Sequence, residues 1–326
     1  MTEAGSISIK LNNGVSIPSL GFGTFADEIV PGEMYAAIIA ALDAGYRHLD
    51  SAWFYKIESE VGRALKDWLH ANPKYKREDL FITTKVWPHL MEPEDVKWSL
   101  ENSLRDMGID YVDAFLFHWP FAVERTEERE VKKDKDGKYI LNHERTSNLL
   151  PSWRAMESLQ TSGKAKTIGV SNFTIAHLTN LLSSATIKPA MNQIEIHPYF
   201  PNTALVDFCL ANDVMPVAYS PLGSQNTKTD RSVLADPVLQ EMAREKGCEV
   251  AQICIAWGLK RGYVVIPKSG NPARVRKNFE IVGLSEEEMG KVGGVAKTLG
   301  NGDVGKRYVN PVGLFGFDIW AFWEKS

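Results

Sequence analysis

The chain has 326 residues, 44% of them hydrophobic and 24% charged, with a formal net charge of −4. That length suits one large α/β unit, and the mildly acidic balance excludes any global attraction to nucleic acid or an anionic membrane surface. No apolar run approaches the ~20 residues that cross a bilayer, and the opening MTEAGSISIK lacks a leader's charged-then-apolar layout, so a cytoplasmic protein with a small-molecule partner is expected.

Along the chain, ISIKLNNGVSIPSL reads as two short strands around a turn at Asn12, Asn13 and Gly14, residues that accept the positive φ of tight hairpins. After Pro31, EMYAAIIAALDAG carries apolar residues at helical spacing and stops at Gly45. A strand over 46–50 follows, then a helix near 57–70, the strand LFITTKV (80–86), a helix over 93–107, the strand VDAFLFH (112–118) and a helix over 152–162. Further strands are predicted at 165–170, 190–194, 215–219 and 263–266, with a weaker one near 20–25. Repeated βα units imply parallel strands with helices outside, but periodicity alone leaves a closed barrel and an open doubly wound sheet both standing. No GxGxxG joins a strand to a helix, which weighs against the open dinucleotide-binding sheet.

Two segments break the rhythm. Residues 121–150, which include ERTEEREVKKDKDGK, read as a solvated surface excursion, although loops at strand ends commonly shape a pocket. The stretch from Gly300 onward, rich in Gly and aromatics, reads as a second long loop. Cys209, Cys248 and Cys254 have neither CxxC nor Cys/His spacing, so buried thiols are expected rather than a disulfide framework or a metal site.

Parallel barrels keep their chemistry at strand ends, and Asp50, Tyr55, Lys85 and His118 stand at or just after such ends, each behind an apolar run. Alone, each has an ordinary structural reading. Together, a carboxylate, an ammonium, a phenol and an imidazole can satisfy one another where each alone would be costly to bury.

GFGT at Gly21, YRHLDSAWFY ending at Tyr55, TTKVW around Lys85, FHWP around His118, GVSNF at Gly169, NQIEIHP at Asn192, AYSPLGS at Ala218 and IPKS at Ile266 resemble, in order and over almost the whole chain, the aldo-keto reductase superfamily. The likeness runs to its fungal sugar and uronate reductases. It implies an α/β fold, a (β/α)8 TIM barrel with an N-terminal β-hairpin cap and long loops at the C-terminal face, as one domain over 1–326, working as a monomer. It also implies carbonyl reduction with Tyr55 as proton donor, Lys85 lowering the phenol's pKa, Asp50 holding Lys85 charged, and His118 orienting the carbonyl with its tautomer set through its other ring nitrogen.

For the cofactor, the resemblance assigns Tyr219 to stacking on a nicotinamide and Ser171, Asn172 and Gln193 to its carboxamide. Gly23, Thr24 and Phe25 would lie beside it, and Ser220, Leu222 and Ser224 along the pyrophosphate. Lys268, Ser269, Asn271, Arg274 and Asn278 would take the adenosine end, where two cations favour NADPH with NADH secondary. Lys277 and Asn271 depart from residues frequent in the family, and Ala26 and Asn226 remove an ionic latch over the cofactor, which predicts fast release of NADP⁺.

For the substrate, Phe25, Trp87 and Trp119 would wall the pocket, Asn310 would contact a hydroxyl, and Lys56 would put a cation at the mouth for a carboxylated sugar such as D-galacturonate. Against a uronate, Trp53, Phe54, Trp87, Trp119 and Phe317 could line an apolar pocket for aromatic aldehydes or keto esters. Two readings of other classes remain: a cofactor-bound binding subunit without turnover, and a barrel hydrolase pairing Asp50 with Glu195.

Overall fold

The computed structural model describes residues 7–26, 28–223, 232–299 and 305–320. Strands β1 (Ser8–Lys10) and β2 (Ser16–Pro18) pair antiparallel with Ile9 opposite Ile17, so the predicted hairpin forms. From there strands and helices alternate: β3 (Phe22–Gly23), α1 (Glu33–Ala44), β4 (His48–Asp50), α2 (Glu58–Ala71), β5 (Phe81–Val86), α3 (Pro93–Met107) and β6 (Val112–Phe117). Then come α4 (His143–Ser147), α5 (Leu150–Thr161), β7 (Ala165–Ser171), α6 (Ile175–Ser184), β8 (Met191–Glu195), α7 (Thr203–Ala211) and β9 (Met215–Tyr219). The series ends with α8 (Pro237–Lys246), α9 (Val250–Lys260), β10 (Val264–Val265), α10 (Pro272–Phe279), α11 (Glu286–Gly294) and α12 (Val312–Phe315).

Strands β3 to β10 lie side by side in chain order, all parallel. The sheet closes on itself: Val265 N–H donates to Ser19 O at 2.8 Å, Gly21 N–H to Val265 O at 2.9 Å and Gly23 N–H to Pro267 O at 3.0 Å. The weak strand near 20–25 is therefore the one that closes the barrel, and the fold is the (β/α)8 type. Every residue of β5, β6 and β8 is buried, as expected for strands covered on both faces.

The hairpin stoppers the end where the strands begin. Leu11 and Ile17 pack with Phe81, Ala114, Leu116, Met191, Val217 and Val264, while Asn12 Nδ2 donates to Pro189 O and Asp213 O and Asn13 Nδ2 to Lys166 O. The larger core lies between strands and helices, with Trp153, Tyr46, Phe115 and Phe117 among its most buried side chains. Helix starts follow local chemistry: Asp236 accepts from Val238 N–H and Leu239 N–H ahead of Pro237, and Asn271 accepts from Ala273 N–H and Arg274 N–H ahead of Pro272. Cys209 and Cys254 are buried and Cys248 is half-buried.

The stretch 121–150 exposes most of its charged residues, as expected of a surface excursion, but it is also folded and packed. Bridges Val123 to Leu141, Arg125 to Val131 and Lys133 to Tyr139 fold it back on itself, and the fully buried Asp95 of α3 takes Arg125 and Arg129. Its apolar residues Phe121, Val123, Val131, Tyr139 and Leu141 turn inward onto Trp87, Trp119 and Phe315. Most of its charged residues, with 132–137 exposed throughout, face water, while these apolar residues complete an aromatic cluster with the C-terminal segment.

Gly169 in β7 leaves room for its neighbours: a Cβ there would meet Met191 Cγ at 2.7 Å, Leu116 Cδ2 and Met191 O at 2.8 Å. Gly169→Ala is expected to cost about 1–3 kcal/mol of stability by overpacking, read as a lower urea midpoint at unchanged slope.

His48 and His89 are almost fully buried, and burial pushes each down to about 4. In the unfolded chain each titrates near 6.5, so below that pH the unfolded state binds more protons. Stability present above pH 6.5 is therefore lost as the pH falls toward about 4, by up to about 1.4 kcal/mol per pH unit per histidine. Urea midpoints measured through this window should fall, and His89→Gln should flatten the slope.

Candidate active site

The C-terminal ends of the strands bring the predicted quartet together. Asp50 ends β4, Lys85 lies in β5, His118 follows β6, and Tyr55 ends a single 3₁₀ turn, Trp53–Tyr55, just past β4. Lys85 Nζ, with no exposed surface, donates to Asp50 Oδ1 at 2.6 Å, to Ser51 O at 2.8 Å and to the Tyr55 hydroxyl at 3.4 Å. The other Asp50 oxygen accepts from Gln193 Nε2 at 2.7 Å, and Thr24 Oγ1 donates to Asp50 O at 2.9 Å. Tyr55 and His118 meet edge to face with ring centroids 5.7 Å apart.

Electrostatics follow from burial. Burial, and after it the Asp50 carboxylate, holds the Tyr55 phenol well above its ordinary pKa. This corrects the expectation that Lys85 lowers it: the ammonium is 2.6 Å from a carboxylate and 3.4 Å from the phenol, so most of its field is spent on Asp50. Burial pulls Lys85 down, and the Asp50 charge and hydrogen bond oppose that. Burial, then Lys85, pulls His118 well below 6.5, so the imidazole is neutral. Its Nδ1 has no hydrogen-bond partner among the described residues, so the expected protein group that sets its tautomer is not there.

Asp50, Tyr55 and His118 line a cleft of about 1680 Å³, with Lys85 buried behind them; the cleft has Trp87, Trp119 and Leu314 at one end and Lys268, Arg274 and Asn278 at the other. At the first end Phe54 stacks on Trp87 at 3.8 Å, Phe25 stands edge-on to Tyr55 at 5.1 Å, and Asn310 lines the rim. In the middle lie Gly23, Thr24, Tyr219, Ser220 and Leu222. Ser171, Asn172 and Gln193 also line it, but their groups already bind protein: Tyr219 OH donates to Asn172 Oδ1 at 2.7 Å, Asn172 Nδ2 to His118 O at 2.9 Å, and Ser171 Oγ to Gln193 O at 2.8 Å. At the far end Lys268 and Arg274 are exposed and in no ion pair among the described residues, whereas Lys277 is paired with Glu280 at 2.8 Å. Ser269 borders the same loop, and the Asn271 side chain is committed to capping α10. Ser224 and Asn226 lie outside the described residues.

Lys56 does not stand at the cleft mouth. At φ +56° it turns its ammonium over the Trp53 ring, 3.2 Å from the centroid, in a separate surface depression with Glu58, Trp98 and Asp106. Trp53 goes with it, and Phe317 packs on Phe121 and Phe315 rather than lining the cleft. Glu195 accepts hydrogen bonds from Tyr308 N–H and Val309 N–H and sits 2.9 Å from His197 Nε2, so it is not the second carboxylate of a hydrolase. Tyr308, Val309 and Leu314 line the cleft without having been singled out; the first two sit in an irregular segment and the third in the single-turn α12, with no sequence pattern to flag them.

Comparison with known proteins agrees. Residues 19–297 match the model of the Aldo/keto reductase family. The chain is 54% identical over 317 residues, 97% of its length and 98% of the other's, to glycerol 2-dehydrogenase (NADP(+)) of Hypocrea jecorina. It is 39% identical over 287 residues to D/L-glyceraldehyde reductase of the same organism, covering 86% of this chain and 85% of that one. The aldose reductase structure from Giardia lamblia superposes with a TM-score of 0.84 at 37% identity, over 92% of this chain and 97% of the other. With a barrel closed by β3 and β10, four polar side chains converging at its mouth and a family match across most of its length, this chain belongs to the aldo/keto reductase family.

Proposed function

We propose that this aldo/keto reductase reduces small hydroxylated aldehydes and ketones, of the glyceraldehyde and dihydroxyacetone class, with NADPH and with Tyr55 as the proton donor. The observation that carries this reading is the buried chain Asp50–Lys85–Tyr55 beside a neutral His118, opening into an aromatic-walled end of the cleft. NADPH, when bound, supplies the hydride to the carbonyl carbon. Tyr55 gives its phenolic proton to the oxygen as negative charge develops there. Even a phenol held well above its ordinary pKa suffices, because an alkoxide is a base of about hydroxide strength, far stronger than a phenolate. Lys85 stabilises the phenolate left behind, and Asp50 keeps Lys85 charged and aimed. Neutral His118 hydrogen-bonds the carbonyl oxygen and turns its carbon toward the hydride.

Support for NADPH comes from two cations, Lys268 and Arg274, in no ion pair among the described residues, at the far end of the cleft, where a 2′-phosphate would need them. NADH would lose that contact and serve as the weaker cofactor. Support for a small hydroxylated substrate comes from the tight Phe54, Trp87 and Trp119 wall with Asn310 at its rim, and from the names of the two Hypocrea relatives. A uronate such as D-galacturonate has lost its proposed cation, since Lys56 faces away. The same reading takes the whole chain, 1–326, as one barrel acting as a monomer in the cytosol, with family likeness as its support; among the described residues no helix is long and apolar enough to cross a membrane.

The test is NADPH oxidation with D/L-glyceraldehyde, dihydroxyacetone, D-galacturonate and benzaldehyde. Glyceraldehyde should lead in kcat/KM, Tyr55→Phe should lose about 10³-fold in kcat, and Lys56→Met should change nothing. Galacturonate in the lead, with the lead lost in Lys56→Met, would replace the small-substrate reading; a Tyr55→Phe enzyme near wild-type rate would remove the proton donor. Lys268→Ala should raise the Kd for NADPH about tenfold and leave NADH unchanged.

A further inference from the structure

Glu195 ends β8 with its side chain fully buried, and no step above uses it. Its Oε1 accepts from Tyr308 N–H at 2.7 Å and lies 2.9 Å from His197 Nε2. Its Oε2 accepts from Val309 N–H at 3.1 Å, with Arg307 Nη1 at 3.9 Å. Two consecutive amides, 113 and 114 residues downstream, thus end on one carboxylate.

The surrounding ties point the same way. Lys306 N–H donates to Tyr199 O at 2.7 Å, and Gly305, at φ +73°, passes so close that a Cβ would sit 2.2 Å from that same oxygen. On the outer side Trp320 Nε1 donates to Val309 O at 2.9 Å. Residues 305–311 belong to no helix or strand, so no ladder of their own holds them. They include Asn310 and Pro311 and run on to Leu314, and all three line the cleft.

We propose that Glu195 is a positioning residue that sets substrate affinity and hydroxyl selectivity by fixing the 305–311 segment, and with it Asn310, over the substrate end. The inference rests on the reductase reading above. An irregular segment keeps one conformation only if its backbone groups find fixed partners, and a buried carboxylate with two lone-pair faces supplies two at once. A glutamine cannot replace it: with one oxygen and one NH2, it would set a donor against one of the two amides. No hydrogen bond joins these ties to Lys268 or Arg274 among the described residues, although Glu195 lies beside Tyr219 in the β8–β9 register.

The experiment compares Glu195→Gln, Asn310→Ala and the double variant on glyceraldehyde and on propanal, which lacks the hydroxyls, with NADPH affinity read by nucleotide fluorescence. In Glu195→Gln, KM for glyceraldehyde should rise about tenfold while kcat changes less than about threefold, and the Kd for NADPH should hold. The preference for glyceraldehyde over propanal should fall to that of Asn310→Ala, and the double variant should fall no further. A folded Glu195→Gln enzyme with wild-type KM and preference overturns the proposal, even with a lowered melting temperature. Should Glu195→Gln not fold, Trp320→Phe decides: it releases Val309 O from the outer side, and an unchanged KM and preference there overturn it. Failure of the parent reading is separate, since it shows in the wild type as no turnover of glyceraldehyde or in an active Tyr55→Phe.

Discussion

An ammonium with no exposed surface, bonded at 2.6 Å to a carboxylate almost as deeply buried, sets the terms for the whole barrel mouth. Removing either partner would strand an uncompensated charge in the interior, a loss of about 3–5 kcal/mol in comparable buried pairs. The surroundings are arranged to keep both in place. Gln193 of β8 takes the second Asp50 oxygen, Thr24 after β3 takes the Asp50 carbonyl, and Ser51 O takes a further Lys85 proton. Three strands and a loop that are distant in sequence are thereby held at one point. Tyr55 is the remaining neighbour of the ammonium, which joins the proposed proton donor to this structural network.

Because the pair is internally neutral, it does not ionise its neighbours. Tyr55 stays a phenol and His118 a neutral imidazole, each displaced from its ordinary pKa chiefly by burial. That is the state in which a proton can be given to a developing alkoxide and a carbonyl can be oriented without a competing charge. In the proposed reaction the ammonium would stabilise the phenolate as it appears, which is the differential stabilisation that catalysis requires.

Rigidity and selectivity are divided between different parts of the molecule. The quartet sits on strands and the turn behind β4, whereas the aromatic end of the cleft is bordered by two long segments, 121–142 and 305–320, that carry little regular structure. These segments hold each other: Phe315 meets Trp87, Trp119, Phe121 and Tyr139, and Lys138 Nζ donates to Gly313 O. The far end of the cleft is organised differently, by a capped helix α10 with Lys268 and Arg274, in no ion pair among the described residues, at and before its first turn. A family that keeps its chemistry on the barrel can in this way vary its substrate through segments that are free to change.

Much of this was legible in the order of residues. The strand and helix alternation from residue 33 to 265, the hairpin, and Asp50, Tyr55, Lys85 and His118 at strand ends all come from short-range patterns, and short-range patterns are what a sequence displays. Four things were decided only by the tertiary structure. Closure depends on Leu20 to Gly23, too short a strand to declare itself until β10 lies beside it. The direction of Lys56 follows from a left-handed backbone after one 3₁₀ turn, which points it at Trp53 instead of the cleft. The charged excursion proved to be half of an aromatic wall, because its inward residues find their partners in the C-terminal segment. Gln193 and Glu195 found Asp50, Tyr308 and Val309 more than a hundred residues away. A local pattern records what a residue does to its own helix or strand; which distant group satisfies a buried donor or charge is settled only when the barrel brings the two together.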